Sequence, residues 1–469
     1  MAIPSTASPR QGSDAPTRRR KVVVVGGGFG GVACVRALRG ADADITLVDR
    51  CNHTLFQPLL YQVATGVLDD SAIASPLRRI FDRRREVAVV RAEVEGFDFD
   101  RCVVHAEGIE LPWDHLVVAA GVRTNYFGRE WAHLAPGLKT LEDAHLVRAR
   151  ILDAFERADA ARIRGDLDEV AGWLSFVVVG GGATGVELAG AIKQLAVDRL
   201  TREFHHLDVE MARVILADGG DRLLQSMSER SSRSAAKVLT RYGVEIRLHT
   251  LVTDVTEHGV CFRTRSPDAP TEAGETGETE TFEQARTVIW AAGVTASPLA
   301  TAIGEGLGID LAPGGMVPVG PDLSVEGRPD IRVVGDLAFL KQADGTPVPG
   351  VAQAALQGGE YAGRAIRRII AGRRGGAKAF RYRDKGSLAT IGRGQAVLDI
   401  GRFHLAGFLG WVVWAIVHIA FLVNFRSRIA AMGAWAWAYV FQDEVNELIT
   451  LRDVRRDVRA STAREEPAA

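Results

Sequence analysis

The chain has 469 residues, 47% of them hydrophobic and 25% charged, with a formal net charge of -1. This is ordinary globular composition with material for large cores, and at about 150 residues per domain it suggests roughly three domains. Arginines and acids are interleaved, so nothing in the overall charge directs the chain to nucleic acid.

The N-terminal stretch MAIPSTASPRQGSDAPTRRRK has no apolar run, which argues against a secretory leader. Residues 1–20, rich in Pro, Ser and charge, are expected to form a disordered tail. Its Arg18, Arg19 and Arg20 read as a solubilising flank to the first strand. Cys34, Cys51, Cys102 and Cys261 stand far apart, form no C-x-x-C pair and have no His at zinc-ligand spacing. Free thiols in a reducing compartment are expected, and no metal site.

The first strong signal is KVVVVGGGFGGVACVRALRG, Lys21 to Gly40. Four valines read as a strand buried on both faces, running straight into Gly26-x-Gly28-x-x-Gly31 and an apolar helical pattern. Gly26 makes the tight turn, Gly28 lets backbone approach a pyrophosphate, and Gly31 lets helix and strand pack closely. The helix N-terminus then offers free N–H donors to the phosphates. A second strand, DITLVDR, ends at Asp49, where a carboxylate can accept ribose hydroxyls.

WLSFVVVGGGATGVELAGAI, Trp173 to Ile192, repeats this grammar with Gly180-x-Gly182-x-x-Gly185. Its ribose-binding acid is Asp218, at the end of ARVILADGG, although the spacing from the glycines exceeds the usual twenty or so residues. Two dinucleotide units suggest two dinucleotides, one held and one exchanging, with hydride passing between them.

This layout resembles the two-dinucleotide-binding-domain flavoproteins, the glutathione-reductase-like superfamily. The resemblance implies an α/β fold in which the N-terminal unit binds FAD non-covalently and an inserted unit binds NAD(P)H. LVVAAGVRTNYFG (Leu116–Gly128) and TVIWAAGV (Thr287–Val294) look like its strand-to-turn crossovers, which brings in Ala120 and Gly293. RVVGDLAFL (Arg332–Leu340) looks like its flavin-closing motif, with Gly335 and with Asp336 toward the ribityl or phosphate end of FAD.

Disulfide reductases of this superfamily need a redox-active cysteine pair, which is absent here. LFQPLLYQVATG (Leu55–Gly66), VAQAALQGGEYA (Val351–Ala362) and RDKGSLATIGRGQAV (Arg383–Val397) are similar to type II NADH dehydrogenases, the non-proton-pumping NADH:quinone oxidoreductases. The N-terminal arm and the acidic stretch Ser266–Phe282, read as a flexible hairpin tip, are additions to that pattern.

Gln353 and Gln357, four apart on a predicted helix, share a face. The resemblance places them beside the flavin, where they either donate to a quinone carbonyl or satisfy backbone at the flavin ring. It also places Glu187 and Lys385 near the quinone, linking its reduction to proton uptake. Thr184-x-x-Glu187 equally fits a helix capping box, whereas Lys385 has no comparable local reason.

FLGWVVWAIVHIAFLVNF (Phe408–Phe425) carries no charged residue and is apolar all round apart from His418 and Asn424, so three readings compete: a spanning helix, a helix lying in the membrane surface and a buried core helix. It approaches the length of a bilayer-spanning helix, and a lipid-dissolved quinone explains why such a segment is present. Insertion from one leaflet is expected, with Arg426 and Arg428 at headgroups and Trp435, Trp437 and Tyr439 in the interface. Spanning is the minority reading, because it moves the Asp443–Ala469 tail across the membrane.

The sequence therefore reads as two Rossmann-like units plus a C-terminal membrane-anchoring helical region. The expected division is a tail at 1–20, FAD-binding parts at 21–140 and 291–380, an NADH-binding domain at 141–290, and a quinone-site and anchor region at 381–469. The expected partners are NADH, a membrane quinone and the lipid bilayer through 408–440, at the cytoplasmic face of the cell membrane; a homodimer is left open. The competing readings are a two-domain flavin reductase acting on a ferredoxin, and a flavin-bearing binding protein similar to apoptosis-inducing factor.

Overall fold

The computed structural model describes residues 18–208, 211–265, 277–373, 378–422, 425–441 and 448–449. Four expectations lie outside them: most of the N-terminal tail, most of the acidic stretch after Ser266, the side chain of Tyr439, and the Asp443–Ala469 tail apart from Leu448 and Ile449.

In chain order, the elements that build the first unit are β1 (Arg20–Val25), α1 (Phe29–Ala37), β2 (Ala43–Asp49), β3 (Val87–Arg91), β4 (His115–Val118) and β5 (Val122–Thr124). A long helix, α2 (Leu141–Arg164), leads to β6 (Ser175–Val179), α3 (Ala183–Gln194), β7 (Arg213–Ala217), β8 (Val244–Arg247), β9 (Thr287–Trp290) and β10 (Val294–Ala296). The chain then returns through β11 (Ser324–Val325), β12 (Arg328–Val333) and α4 (Ala352–Ile370). It closes with β13 (Ser387–Gly392), β14 (Gln395–Ile400), β15 (Phe403–Gly407), α5 (Phe408–Phe421) and α6 (Phe425–Phe441).

Two sheets follow. The first has the order β11-β12-β4-β1-β2-β3, the second β8-β7-β6-β9. β1 lies parallel between β2 and β4, and β6 lies parallel between β7 and β9. Both central strands are valine runs buried on both faces, as parallel strands covered by helices must be. Between the units, β5 and β10 pair antiparallel, Val122 opposite Ala296 and Thr124 opposite Val294. The strands of this link follow VVAAG and IWAAG, the same crossover used twice.

Helix α4 returns to the first unit and packs on α1 at backbone contact. A Cβ at Gly359 would stand 2.0 Å from the Gly30 carbonyl oxygen, and one at Gly363 would stand 2.4 Å from that of Cys34. Cys34 is fully buried there, and burial pushes its thiol up to about 12, the state of a packing residue. All four cysteines are free.

The C-terminal region is not helical throughout, because the antiparallel sheet β13-β14-β15 precedes the helices. The apolar stretch is not one helix either. It stops at Phe421, Leu422 turns to φ -59 and ψ 136, and a second helix starts at Phe425. Among the described residues no helix is long and apolar enough to cross a membrane.

Candidate functional site

The two glycine loops are built alike. Gly26 has φ 102 and Gly180 has φ 110, a conformation that requires glycine in both. A Cβ on Gly26 would stand 2.4 Å from the Ala119 carbonyl oxygen and 3.2 Å from the Ala120 nitrogen. One on Gly180 would meet Ala291 and the Ala292 nitrogen at 2.8 Å. A Cβ on Gly31 would lie 1.8 Å from the Gly26 carbonyl oxygen, and one on Gly185 at the same distance from that of Gly180. Gly28 and Gly182 face open space, with nothing within 4 Å of an added Cβ.

Asp49 and Asp218 hold the same station. Asp49 accepts from the Gly27 N–H at 2.5 Å and the Cys51 N–H at 2.6 Å. Asp218 accepts from the Gly181 N–H at 2.6 Å and the Gly220 N–H at 2.7 Å. Asp218 lies 37 residues beyond its glycine and Asp49 only 22, so chain separation concealed an identical geometry. Arg222, close enough in sequence to greet a phosphate, is instead folded onto the carbonyls of Gln225 and Met227 at 2.7 and 2.9 Å.

The helices that begin at these loops start at Gly28 and Gly182 with no side chain capping them, and α4 starts uncapped at Val351. By contrast α2 is closed by a full Thr140–Asp143 capping box. The uncapped ends leave N–H donors and the positive helix end for a ligand. Gly335, at φ 73, turns the chain so that Asp336 borders a cavity also lined by Pro349, Gly350 and Ala354. Burial raises the Asp336 carboxyl, and the charge of Lys139 opposes that rise. Lys139 was not foreseen; its signal is a lysine placed just before the α2 capping box.

Gln353 and Gln357 do share a face of α4, and both amides are engaged with one loop. Gln353 Nε2 donates to the Gly386 carbonyl at 3.1 Å and to Asp384 at 3.2 Å, while its Oε1 accepts from the Lys385 N–H at 3.0 Å. Gln357 donates to the Arg383 carbonyl and accepts from the Arg383 N–H, each at 3.0 Å. The loop they grip carries Lys385, whose ammonium sits 5.9 Å from the ring centre of Phe421 on α5.

Glu187 is not the N3 residue of a capping box. Helix α3 begins at Gly182, so Thr184 is already inside it and Glu187 falls in the second turn, 8% exposed. Its Oε1 accepts from the Thr390 N–H on β13 at 3.3 Å. Burial raises the carboxyl to about 8, only partly offset by that hydrogen bond. The fold therefore joins Gln353, Gln357 and Lys385 on one side and Glu187 with Thr390 on the other, on successive parts of one strand-loop unit.

Tyr61 and Gln62 enter this site unannounced. The Gln62 Nε2 donates to the Tyr61 hydroxyl at 2.6 Å, and the Trp435 indole N–H donates to Gln62 Oε1 at 2.7 Å. Tyr61 is buried and its hydroxyl is pushed well up, first by desolvation and then by the Glu187 charge. Trp435 is thus tied inward through its indole N–H, its ring tilted against that of Trp414 with centres 5.3 Å apart. Arg428 is tied as well, donating to the carbonyls of Leu422 and Ala420 at the end of α5. Trp437 is 49% exposed and Arg426 is exposed.

Helix α5 has two faces that its composition hides. Gly410, Trp414, Ala415 and His418 are buried, with His418 Nδ1 2.7 Å from the Trp414 carbonyl and its pKa lowered by burial to about 4. Leu409 and Ile416 point outward, and with Phe408, Phe421, Phe425, Ile429 and Met432 they make an exposed apolar surface. A patch of that kind marks an interaction face.

Residues 20–359 match the model of the pyridine nucleotide-disulphide oxidoreductase family. The chain is 40% identical over 440 residues to the type II NADH:quinone oxidoreductase Ndh of Mycobacterium tuberculosis, covering 92% of this chain and 91% of that one. It is 41% identical over 430 residues to NdhA of the same organism, covering 90% and 87%. The structure of NDH2 from Plasmodium falciparum in complex with NADH superposes with a TM-score of 0.79 at 19% identity, covering 90% of this chain and 99% of that one. The chain belongs to the pyridine nucleotide-disulphide oxidoreductase family and, within it, to the type II NADH:quinone oxidoreductases.

Proposed function

We propose that the chain oxidises NADH at a non-covalently bound FAD and passes the two electrons to a membrane quinone. The observation that carries this reading is the duplicate geometry of the two glycine loops, Asp49 on Gly27 and Asp218 on Gly181, beside a glutamine-clamped loop that carries Lys385. The named relatives are NADH:quinone oxidoreductases over nearly their whole length.

The residues fit FAD in the first unit. The open space at Gly28 and the uncapped start of α1 suit a pyrophosphate. In this reading Asp49 takes the ribose hydroxyls, Gly26, Gly31 and Ala120 keep the turn tight, and Gly335 and Asp336, which line a cavity, serve the ribityl or phosphate end. When bound, FAD supplies the two-electron carrier that the side chains lack. Gly180, Gly182, Gly185 and Asp218 serve NADH in the same way, with Gly293 at the crossover.

At about neutral pH the Glu187 carboxyl holds a proton, which suits it to supply a quinone oxygen that gains charge. Gln353 and Gln357 act chiefly by fixing the loop that presents Lys385, since their amides are already paired. In the division this reading supports, 21–140 and 291–380 hold FAD, 141–290 holds NADH, and 381–469 forms the quinone site and the anchor.

The anchor lies in one leaflet at the cytoplasmic face. Supporting this, α5 has 14 residues. Such a helix rises about 21 Å, well short of the roughly 30 Å of a bilayer core. Its outward face is apolar from Phe408 to Phe421. The test is the visible spectrum of the purified protein without oxygen. NADH should bleach a flavin spectrum, and a quinone should restore it within the time of turnover; bleaching that quinone does not reverse would leave only an NADH-binding flavoprotein.

A further inference from the structure

We propose that Phe127 is a binding residue for the dihydronicotinamide half of NADH, its ring forming a wall against which that half packs. The proposal rests on the reading above that the second unit takes NADH.

Phe127 has φ 52, in the left-handed region that bulky residues rarely enter. The residue is nevertheless 66% exposed. The residue therefore bears backbone strain without gaining burial, a combination that gathers at ligand sites. The conformation is enforced from outside. Asn125 Oδ1 accepts from the Phe127 N–H at 2.8 Å, the Asn125 N–H donates to the Gly293 carbonyl at 3.3 Å, and the Trp290 indole N–H donates to the Asn125 carbonyl at 2.9 Å. The backbone that carries the ring is thereby fastened to the carboxyl end of β9. It lies over Gly293, where an added Cβ would stand 2.8 Å from Phe127 Cζ.

Position decides which half of the ligand it meets. In the order β8-β7-β6-β9, Asp218 follows β7 on one side of the glycine loop, and Gly293 follows β9 on the other. A dinucleotide lies across the carboxyl ends of such strands with its adenosine ribose at the acid, so the nicotinamide half falls on the β9 side. The β5–β10 ladder joins the two units immediately before Asn125, so this half is also the one nearest the first unit. A flat carboxamide-bearing ring is the kind of group that an exposed aromatic face packs against.

The test compares Phe127→Gly, Phe127→Tyr and wild type as holoenzymes. Glycine adopts the same φ freely, so the first variant removes the ring and spares the backbone. Flavin bleaching without oxygen, followed against NADH concentration in a stopped-flow instrument, separates the NADH Kd from the limiting rate. Phe127→Gly should raise the Kd by about threefold to tenfold, the worth of an aromatic packing contact. Phe127→Tyr should restore it, and the unfolding temperature and the quinone half-reaction should be kept in both. An unchanged Kd in Phe127→Gly overturns the proposal, as does a fall confined to the limiting rate, which would assign the ring to the junction. A wild-type holoenzyme that NADH does not bleach would instead overturn the reading of the second unit.

Discussion

Gln357 and Arg383 exchange two hydrogen bonds, side-chain Nε2 to backbone carbonyl and backbone N–H to Oε1, each at 3.0 Å. The glutamine thereby serves as a one-residue strand partner for the loop that carries Lys385. Removing it takes away two of the five hydrogen bonds by which Gln353 and Gln357 hold the loop, without touching either glycine motif. Gln357→Ala should slow reoxidation of the reduced flavin by quinone about tenfold, the effect of roughly 1.4 kcal/mol lost at the transition state. Flavin reduction by NADH should stay near wild type. Lys385→Ala should share this pattern, and stopped-flow traces in which only the NADH half slows would place both residues at the wrong site.

Two glycines of the first loop should fail differently. Gly31→Ala puts a methyl 1.8 Å from the Gly26 carbonyl oxygen, so helix and strand must separate and little folded protein is expected. Gly28→Val extends into free space that suits a pyrophosphate, so the chain should fold but emerge colourless. Circular dichroism and the visible spectrum check both, and a yellow Gly28→Val protein would remove the FAD assignment.

NADH should be preferred to NADPH by at least about tenfold in kcat/KM, because a carboxylate accepts a ribose hydroxyl and repels a phosphate. Asp218 is oriented for this by two N–H groups, and Arg222 is occupied by loop carbonyls. Equal kcat/KM for the two cofactors would show that Asp218 does not select.

Glu187 should leave a mark on stability against pH. Its carboxyl has a pKa of about 8 in the folded chain against an ordinary value of 4.5. Between these values the unfolded chain releases a proton that the folded chain keeps, so stability falls as pH rises through that window and is level outside it. Glu187→Gln removes this slope. The variant and wild type should melt alike near about pH 4, and the variant should be the more stable near about pH 9, by a few kcal/mol at most. Parallel melting curves across that range would mean that the carboxyl ionises freely.

What was legible in the chain was local. Gly26, Gly28 and Gly31 could be read because a tight turn, an open approach and a close helix contact each demand glycine within six residues. The strand-end position of Asp218 is legible too, whereas its contact with the Gly181 N–H, 37 residues back, is not legible from spacing. Three other features depended on distant partners. Glu187 resembled a cap until Gly182 proved to start the helix and Thr390 to be its partner. The buried stripe of α5, Trp414 and His418, could not be separated from an all-apolar segment without the sheet it covers. Trp435 looked like an interfacial aromatic, yet a hydrogen bond to Gln62, 373 residues away, turns it inward.

In the proposed function, the apolar surface of α5 and α6 brings a lipid-dissolved acceptor to a flavin fed by NADH. Deleting the segment would expose the core around Trp414, which is 1% exposed, so surface substitutions test it better. Leu409, Ile416 and Phe425 are 65%, 62% and 77% exposed and can be changed together to Glu without entering the core. Each loses roughly 1.5–3 kcal/mol of membrane burial, enough in sum to release the protein from vesicles. The decisive measurement is NADH oxidation by wild type and this triple variant, with a short soluble quinone and with a long-tailed quinone held in vesicles. The variant should keep most of its activity on the soluble quinone and lose nearly all of it on the vesicle-borne one. Equal activity of the two proteins on the vesicle-borne quinone would show that this surface does not bring the acceptor to the flavin.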